Sequence, residues 1–156
     1  MKGDTTMTQL QAVRKFAAEV AEQKVIIARQ RLHNNWAMCI RMFDTELRMM
    51  VPTNFNYEAD ESDRAFRKDF IARYAPAQGF SNATLSILHE IGHEKTKWDG
   101  NGCVFLDNDR RKHVKSQKEY MMLESERRAT DWAIQWLYSE KHRRLAKQFE
   151  KEFFGY

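Results

Sequence analysis

"ILHEIGHEKT", residues 87–96, sets two histidines four apart with a glutamate directly after the first. On a helix, residues four apart share a face, so His89 and His93 can aim one ring nitrogen each at a single ion. Imidazole is a good zinc ligand, at about 2.0–2.1 Å. Glu90 falls about 100° further round such a helix. It is displaced from the ligand direction but within reach of a metal-bound water, the general-base position of H-E-x-x-H peptidases. Gly92 costs roughly 1 kcal/mol of helix propensity relative to alanine. Close approach of another backbone, or of substrate, would give that glycine its reason.

The metal reading requires a helix, and the flanks supply one. Leu85, Leu88 and Ile91 or Gly92 recur at helical spacing, and Ser81 or Asn82 offers a cap. Behind the motif, "WDGNG" reads as a turn and "CVFL" as a short strand.

A catalytic zinc normally has three protein ligands and one open position. The chain continues "HEKTKWDG", without the glycine and histidine of HExxHxxGxxH, which excludes the metzincin pattern. Two residues compete for the third position. Glu126 stands 33 residues after His93, near the start of a helix, with Ala129 and Ala133 three and seven positions on. Those small residues would let its helix pack closely against the HExxH helix, so spacing favours Glu126. His113, 20 residues after His93, is the rival among basic and polar neighbours, and Glu124 is a lesser option.

Further out, Thr8 with Gln11 forms a capping-box pattern. Leu10, Val13, Phe16 or Ala17, Val20, Val25 and Ile27 continue at helical spacing, predicting one helix over roughly 8–31, within an N-terminal segment 1–32. "WAMCIRMF" and "ELRMMV", separated by Asp44 and Thr45, read as a β-hairpin ended by Pro52, with Met38, Met42, Met49 and Met50 as core filler. "TNFNYEADE" (53–61) is polar and turn-like. Ser62 or Asp63 opens a short helix through Phe66, Phe70, Ile71 and Tyr74, closed by Pro76 and Gly79. Ser116 with Glu119 is a second capping-box pattern, leading into a helical run through Tyr120, Leu123, Ala129, Trp132 and Leu137. Ser139 caps a last helix carrying Leu145, Phe149 and Phe153. The expected fold is therefore a single helix-rich α+β domain over 1–156 with a small antiparallel or mixed sheet. Its metal-binding core spans 80–137 and its C-terminal helix 139–156.

Composition bounds the partners. The 156 residues are 42% hydrophobic and 31% charged, with a net charge of +4. No apolar run approaches the ~20 residues of a membrane helix. "MKGDTTMTQLQ" carries no signal-peptide core, which leads us to expect a cytoplasmic protein without a membrane partner. Cys39 and Cys103 match no CxxC pattern and read as two reduced cysteines. The basic run "RRKHVKSQK" (110–118) is where a nucleic acid would make contact, although a solvated charged segment also looks like this.

"TLSILHEIGH" followed by "ERRATDWA" resembles the pattern of ImmA/IrrE-type metallopeptidases, small gluzincins of bacteria, phages and mobile elements, in which HExxH is followed by E-x-x-A-N-x-F-A. The resemblance covers about residues 80–137. It implies a zincin-like domain, with His89, His93 and Glu126 as zinc ligands and Glu90 as catalytic glutamate. "HEIGHEKTK" is also similar to the HELxHxTG pattern of ArdC-like antirestriction proteins. Thr130 stands where the first family has asparagine, its Leu-Leu-Met-Pro tail is absent, and no helix-turn-helix precedes the motif, so repressor cleavage does not carry over. The implied function is a zinc-dependent peptidase acting on a protein or peptide. Its oxyanion donor would come from Tyr120, His113, Tyr138 or Arg127. The alternative is a non-enzymatic DNA- or host-protein-binding protein on the same scaffold, with Lys141, Arg143, Arg144 and Lys147 of the last helix among its contacts.

Overall fold

Helix α1 (Gln9–Ala21) starts on the expected capping box: the Gln11 amide donates to Thr8 Oγ1, and the Thr8 amide to Gln11 Oε1. The computed structural model describes residues 7–30, 39–43, 46–52, 61–96, 115, 116, 119 and 123–155. Contrary to the long helix expected over 8–31, α1 stops at Ala21, and Val25–Gln30 forms strand β1. Two contacts account for the stop. Glu22 adopts a left-handed conformation (φ 58°), and Lys95 Nζ donates to the free Ala21 carbonyl at 2.8 Å. The β-branched run Val25-Ile26-Ile27 then favours extended backbone.

Strands β2 (Cys39–Phe43) and β3 (Glu46–Pro52) pair antiparallel as the expected hairpin. β1 pairs with the other edge of β3, but in parallel, so the order is β1-β3-β2 and the sheet is mixed rather than purely antiparallel. β3 shows the two-residue alternation of a sheet with one covered face: Leu47, Met49 and Val51 are buried and Arg48 is exposed.

Helix α2 (Glu61–Arg73) begins one residue ahead of the expected cap, and a short 3-10 turn, Ala75–Gly79, leads into α3 (Asn82–Thr96). Helices α4 (Glu124–Leu137) and α5 (Glu140–Phe154) follow, the latter capped as expected by Ser139. α4 starts later than its sequence pattern suggests. Ser116 Oγ does accept from the Glu119 amide at 3.1 Å, but Leu123 is extended (φ −58°, ψ 141°) and the helix opens at Glu124. The expected strand 103–106 and turn 98–102, residues 53–60, Cys103, His113 and Tyr120 lie outside the described residues.

α3 is the central helix and touches α1, α2, α4, α5 and β2. The core on its α1 and α5 side is aromatic: Phe16 stacks on Phe149 at 4.6 Å and meets Trp136 edge-on at 5.9 Å. Glu150 of α5 is buried. Its Oε2 accepts from the Ser81 amide and from Thr84 Oγ1, both at 2.6 Å, so a carboxylate from the last helix closes the positive end of α3. Arg67 of α2 braces the same end by donating to the Phe80 carbonyl (2.7 Å) and Asn82 Oδ1 (3.0 Å). Among the described residues no helix is long and apolar enough to cross a membrane.

Candidate metal centre

The α3–α4 contact creates the site. A methyl group built on Gly92 would stand 2.5 Å from the Ala129 carbonyl oxygen and 3.1 Å from its carbonyl and α carbons. Only glycine admits the α4 backbone this closely, which answers why α3 carries a residue that weakens helices. Ala129 and Ala133 are fully buried, as their spacing requires. The helices run antiparallel, setting His93 opposite Glu126 and His89 opposite Thr130.

Glu126 therefore projects between the two histidines. Its Oε2 is 2.7 Å from His93 Nε2, and its Oε1 is 3.5 Å from His89 Nε2. The ligand atoms of His89, His93 and Glu126 lie within 4.8 Å of one another and form a group that can hold a metal ion. Ligands at ~2.1 Å from a tetrahedral centre stand about 3.4 Å apart; the His89–Glu126 spacing of 3.5 Å matches this, whereas the 2.7 Å His93–Glu126 contact is a direct hydrogen bond that an ion would have to widen. His89 and Glu126 are buried, while His93 keeps about a quarter of its side chain exposed, leaving a side from which a small molecule can approach.

His89 is held from two further directions. Its Nδ1 is 2.9 Å from Thr130 Oγ1, and the Phe66 ring of α2 lies edge-to-face at 5.3 Å. With Nε2 turned to a metal, Nδ1 carries the proton and donates to the threonine oxygen, which fixes tautomer and ring orientation. Thr130, which stands out in the sequence only as a departure from asparagine, thus orients the His89 ring of the candidate metal group. α4 is fastened at this end by Arg73 of α2, which pairs with Asp131.

The two carboxyls of the site are pushed in opposite directions. Burial acts most strongly on Glu126 and would raise its pKa. Hydrogen bonds from His89 and His93 and their charges outweigh it and hold the carboxyl well below the usual range. Glu90 keeps part of its surface open, yet burial of its carboxyl dominates and raises its pKa. The nearby histidines oppose that shift and the Glu126 charge adds to it. Such a divergence separates a permanent anion suited to binding a cation from a carboxyl able to take up and release a proton.

The remaining sequence candidates fall elsewhere. Glu124 faces Arg128 at 2.8 Å instead of the cluster. Tyr138 packs on Tyr74 at the opposite end of α4, about 18 Å along the helix from Glu126, too far to serve as an oxyanion donor. Arg127 is exposed on the first turn of α4. His113 and Tyr120 lie outside the described residues, as do 110–114, 117 and 118 of the basic run. No family model, curated protein or solved structure matches the chain.

Proposed function

We propose that the chain is a metal-dependent hydrolase. More narrowly, we read it as a zinc metallopeptidase of the minimal gluzincin kind that its HEIGH and ERRATDWA segments resemble, a regulatory protease of a bacterium, phage or mobile element. The observation that carries this reading is the convergence of His89, His93 and Glu126 from two helices, with Glu90 one position from the first ligand. A nitrogen-rich set of three protein ligands suits zinc with one position left for water, whereas structural zinc favours cysteine and a fourth protein ligand. Zinc bound there would supply Lewis acidity toward a carbonyl oxygen and lower the pKa of its water toward ~7. Glu90, one position round the helix from His89, would be placed to accept a proton from a water at the site and return it to the leaving amine. Thr130 and Phe66 hold the His89 ring throughout.

Metal analysis and a cleavage assay test the reading together. Wild-type protein should hold about one zinc per chain, as should a His113→Ala variant, and Glu126→Ala should hold almost none. Retention in Glu126→Ala with loss in His113→Ala would overturn the ligand set. Against a peptide library, Glu90→Gln should keep its zinc and lose cleavage. Equal activity of that variant would remove Glu90 as the base.

A further inference from the structure

α5 and the 3-10 turn enclose a groove of about 670 Å³, well separated from the metal centre. Its walls carry Arg143, Arg144, Lys147 and Lys151 against a single carboxylate, Glu140. Four cations and one anion leave a local charge of +3, most of the +4 of the whole chain. Arg143, Lys147 and Lys151 stand at i, i+4 and i+8, a row about 12 Å long on one helix face.

These cations are fixed largely by neutral acceptors. Arg143 Nη1 donates to the carbonyls of Leu137 (2.9 Å) and Tyr138 (2.7 Å). Lys147 donates to the Gly79 carbonyl, and its ammonium lies 4.6 Å above the Phe80 ring. None of these acceptors carries a formal charge, although the Leu137 and Tyr138 carbonyls form the negative end of α4. Arg144 does pair with Glu140 at 2.7 Å, but both side chains are more than two-thirds exposed, so the pair yields readily to a stronger anion. Lys151 has no carboxylate partner among the described residues.

We propose that this groove docks the phosphate backbone of double-stranded nucleic acid, independently of sequence and of the metal. Charge complementarity selects a polyanion. One strand of a duplex presents a phosphate every ~3.4 Å of axis, so a 12 Å row faces three to four of them. The groove lacks the aromatic platforms on which single strands stack: its one aromatic, Phe80, is 5% exposed and lies beneath Lys147. The groove opens at the N-terminal end of α3, so a docked duplex lies about 11–17 Å along that helix from His89 and His93.

Fluorescence anisotropy tests this with a labelled 20-base-pair duplex of arbitrary sequence, the matching single strand and a poly-glutamate peptide. With three to four phosphates engaged by the four cations, log K against log salt should slope near −3, a roughly 60-fold loss of affinity from 50 to 200 mM. Arg144→Gln with Lys151→Gln, both exposed changes, should flatten the slope by about two. A second, unrelated duplex should bind equally. The proposal is overturned if the wild type shows no salt-dependent duplex binding, or if the double variant keeps the wild-type slope. Tighter binding of the single strand or of poly-glutamate overturns it as well. So does loss of binding confined to a Lys112, Lys115 and Lys118→Gln variant, which would move the contact to the basic run.

Discussion

Substituting Gly92 by alanine sets a local gain against a tertiary cost. On propensity alone the change should stabilise α3 by roughly 1 kcal/mol. The added methyl would lie 2.5 Å from the Ala129 carbonyl oxygen, a backbone atom that cannot rotate away. Restoring an ordinary contact of 3.4 Å requires the two helices to part by about 0.9 Å. Overpacking of this kind costs typically 1–3 kcal/mol, so the net change should be a destabilisation of about 0–2 kcal/mol. The larger effect falls on the cluster. His93 follows Gly92, and Glu126 and Thr130 flank Ala129, so parting the helices separates Glu126 from both rings. A 0.9 Å opening exceeds the ±0.2 Å that a metal site tolerates. Zinc affinity, measured by competition with a chromophoric chelator, should fall at least 10- to 100-fold, with the melting temperature followed in parallel. A Gly92→Ala protein that binds zinc like wild type and is about 1 kcal/mol more stable would refute the reasoning.

Thr130→Val keeps the shape of the threonine but removes the partner of His89 Nδ1, so zinc affinity should drop about 10- to 100-fold while the fold persists. Thr130→Asn should recover part of that loss, and equal affinities for all three proteins would deny Thr130 its orienting role. Glu150→Ala leaves the Ser81 amide and the Thr84 hydroxyl without their acceptor and should cost about 2–4 kcal/mol in urea unfolding, with Glu150→Gln losing less; a change below 0.5 kcal/mol would exclude the cap. In metal-free protein the low Glu126 pKa means that its stabilisation is fully present above the ordinary carboxyl value of 4.5 and is lost as pH falls through the folded pKa. An acid melting series on wild type and Glu126→Gln should converge at low pH. Glu90 has the opposite sign: raised in the fold, it favours folding only while protonated and opposes it as pH climbs past 4.5. Metal-free Glu90→Gln should therefore melt higher than wild type at pH 7, and a lower melting point would contradict the burial of that carboxyl.

The cluster was largely legible because its geometry is local. A four-residue spacing on a helix fixes His89 beside His93, and alanines at 129 and 133 mark the face of α4 that can come close. Thr130 was visible only as a departure from a pattern, since its value lies in a contact across 41 positions with His89. Glu150 carries no mark in the sequence, because nothing local distinguishes a glutamate that reaches Ser81 and Thr84. Periodicity does not mark the end of α1, because Val25 and Ile27 satisfy a helical stripe as well as a strand. The stop itself relies on Lys95, far along the chain, and on a left-handed glutamate where glycine is the usual signal. The parallel β1–β3 ladder is likewise a long-range pairing that no turn motif announces.

The Glu150 cap also orders events in time. The helix carrying both histidines acquires its N-terminal acceptor from a residue made 66 positions after Thr84. At synthesis rates of about 5–20 residues per second, that interval is roughly 3–13 s. Glu126 is added during that interval and the cap only at its end. The histidine pair thus leaves the ribosome before the carboxylate that meets it and well before the N-terminus of its helix is capped, so the His89–His93–Glu126 group assembles late relative to the helix that carries its histidines.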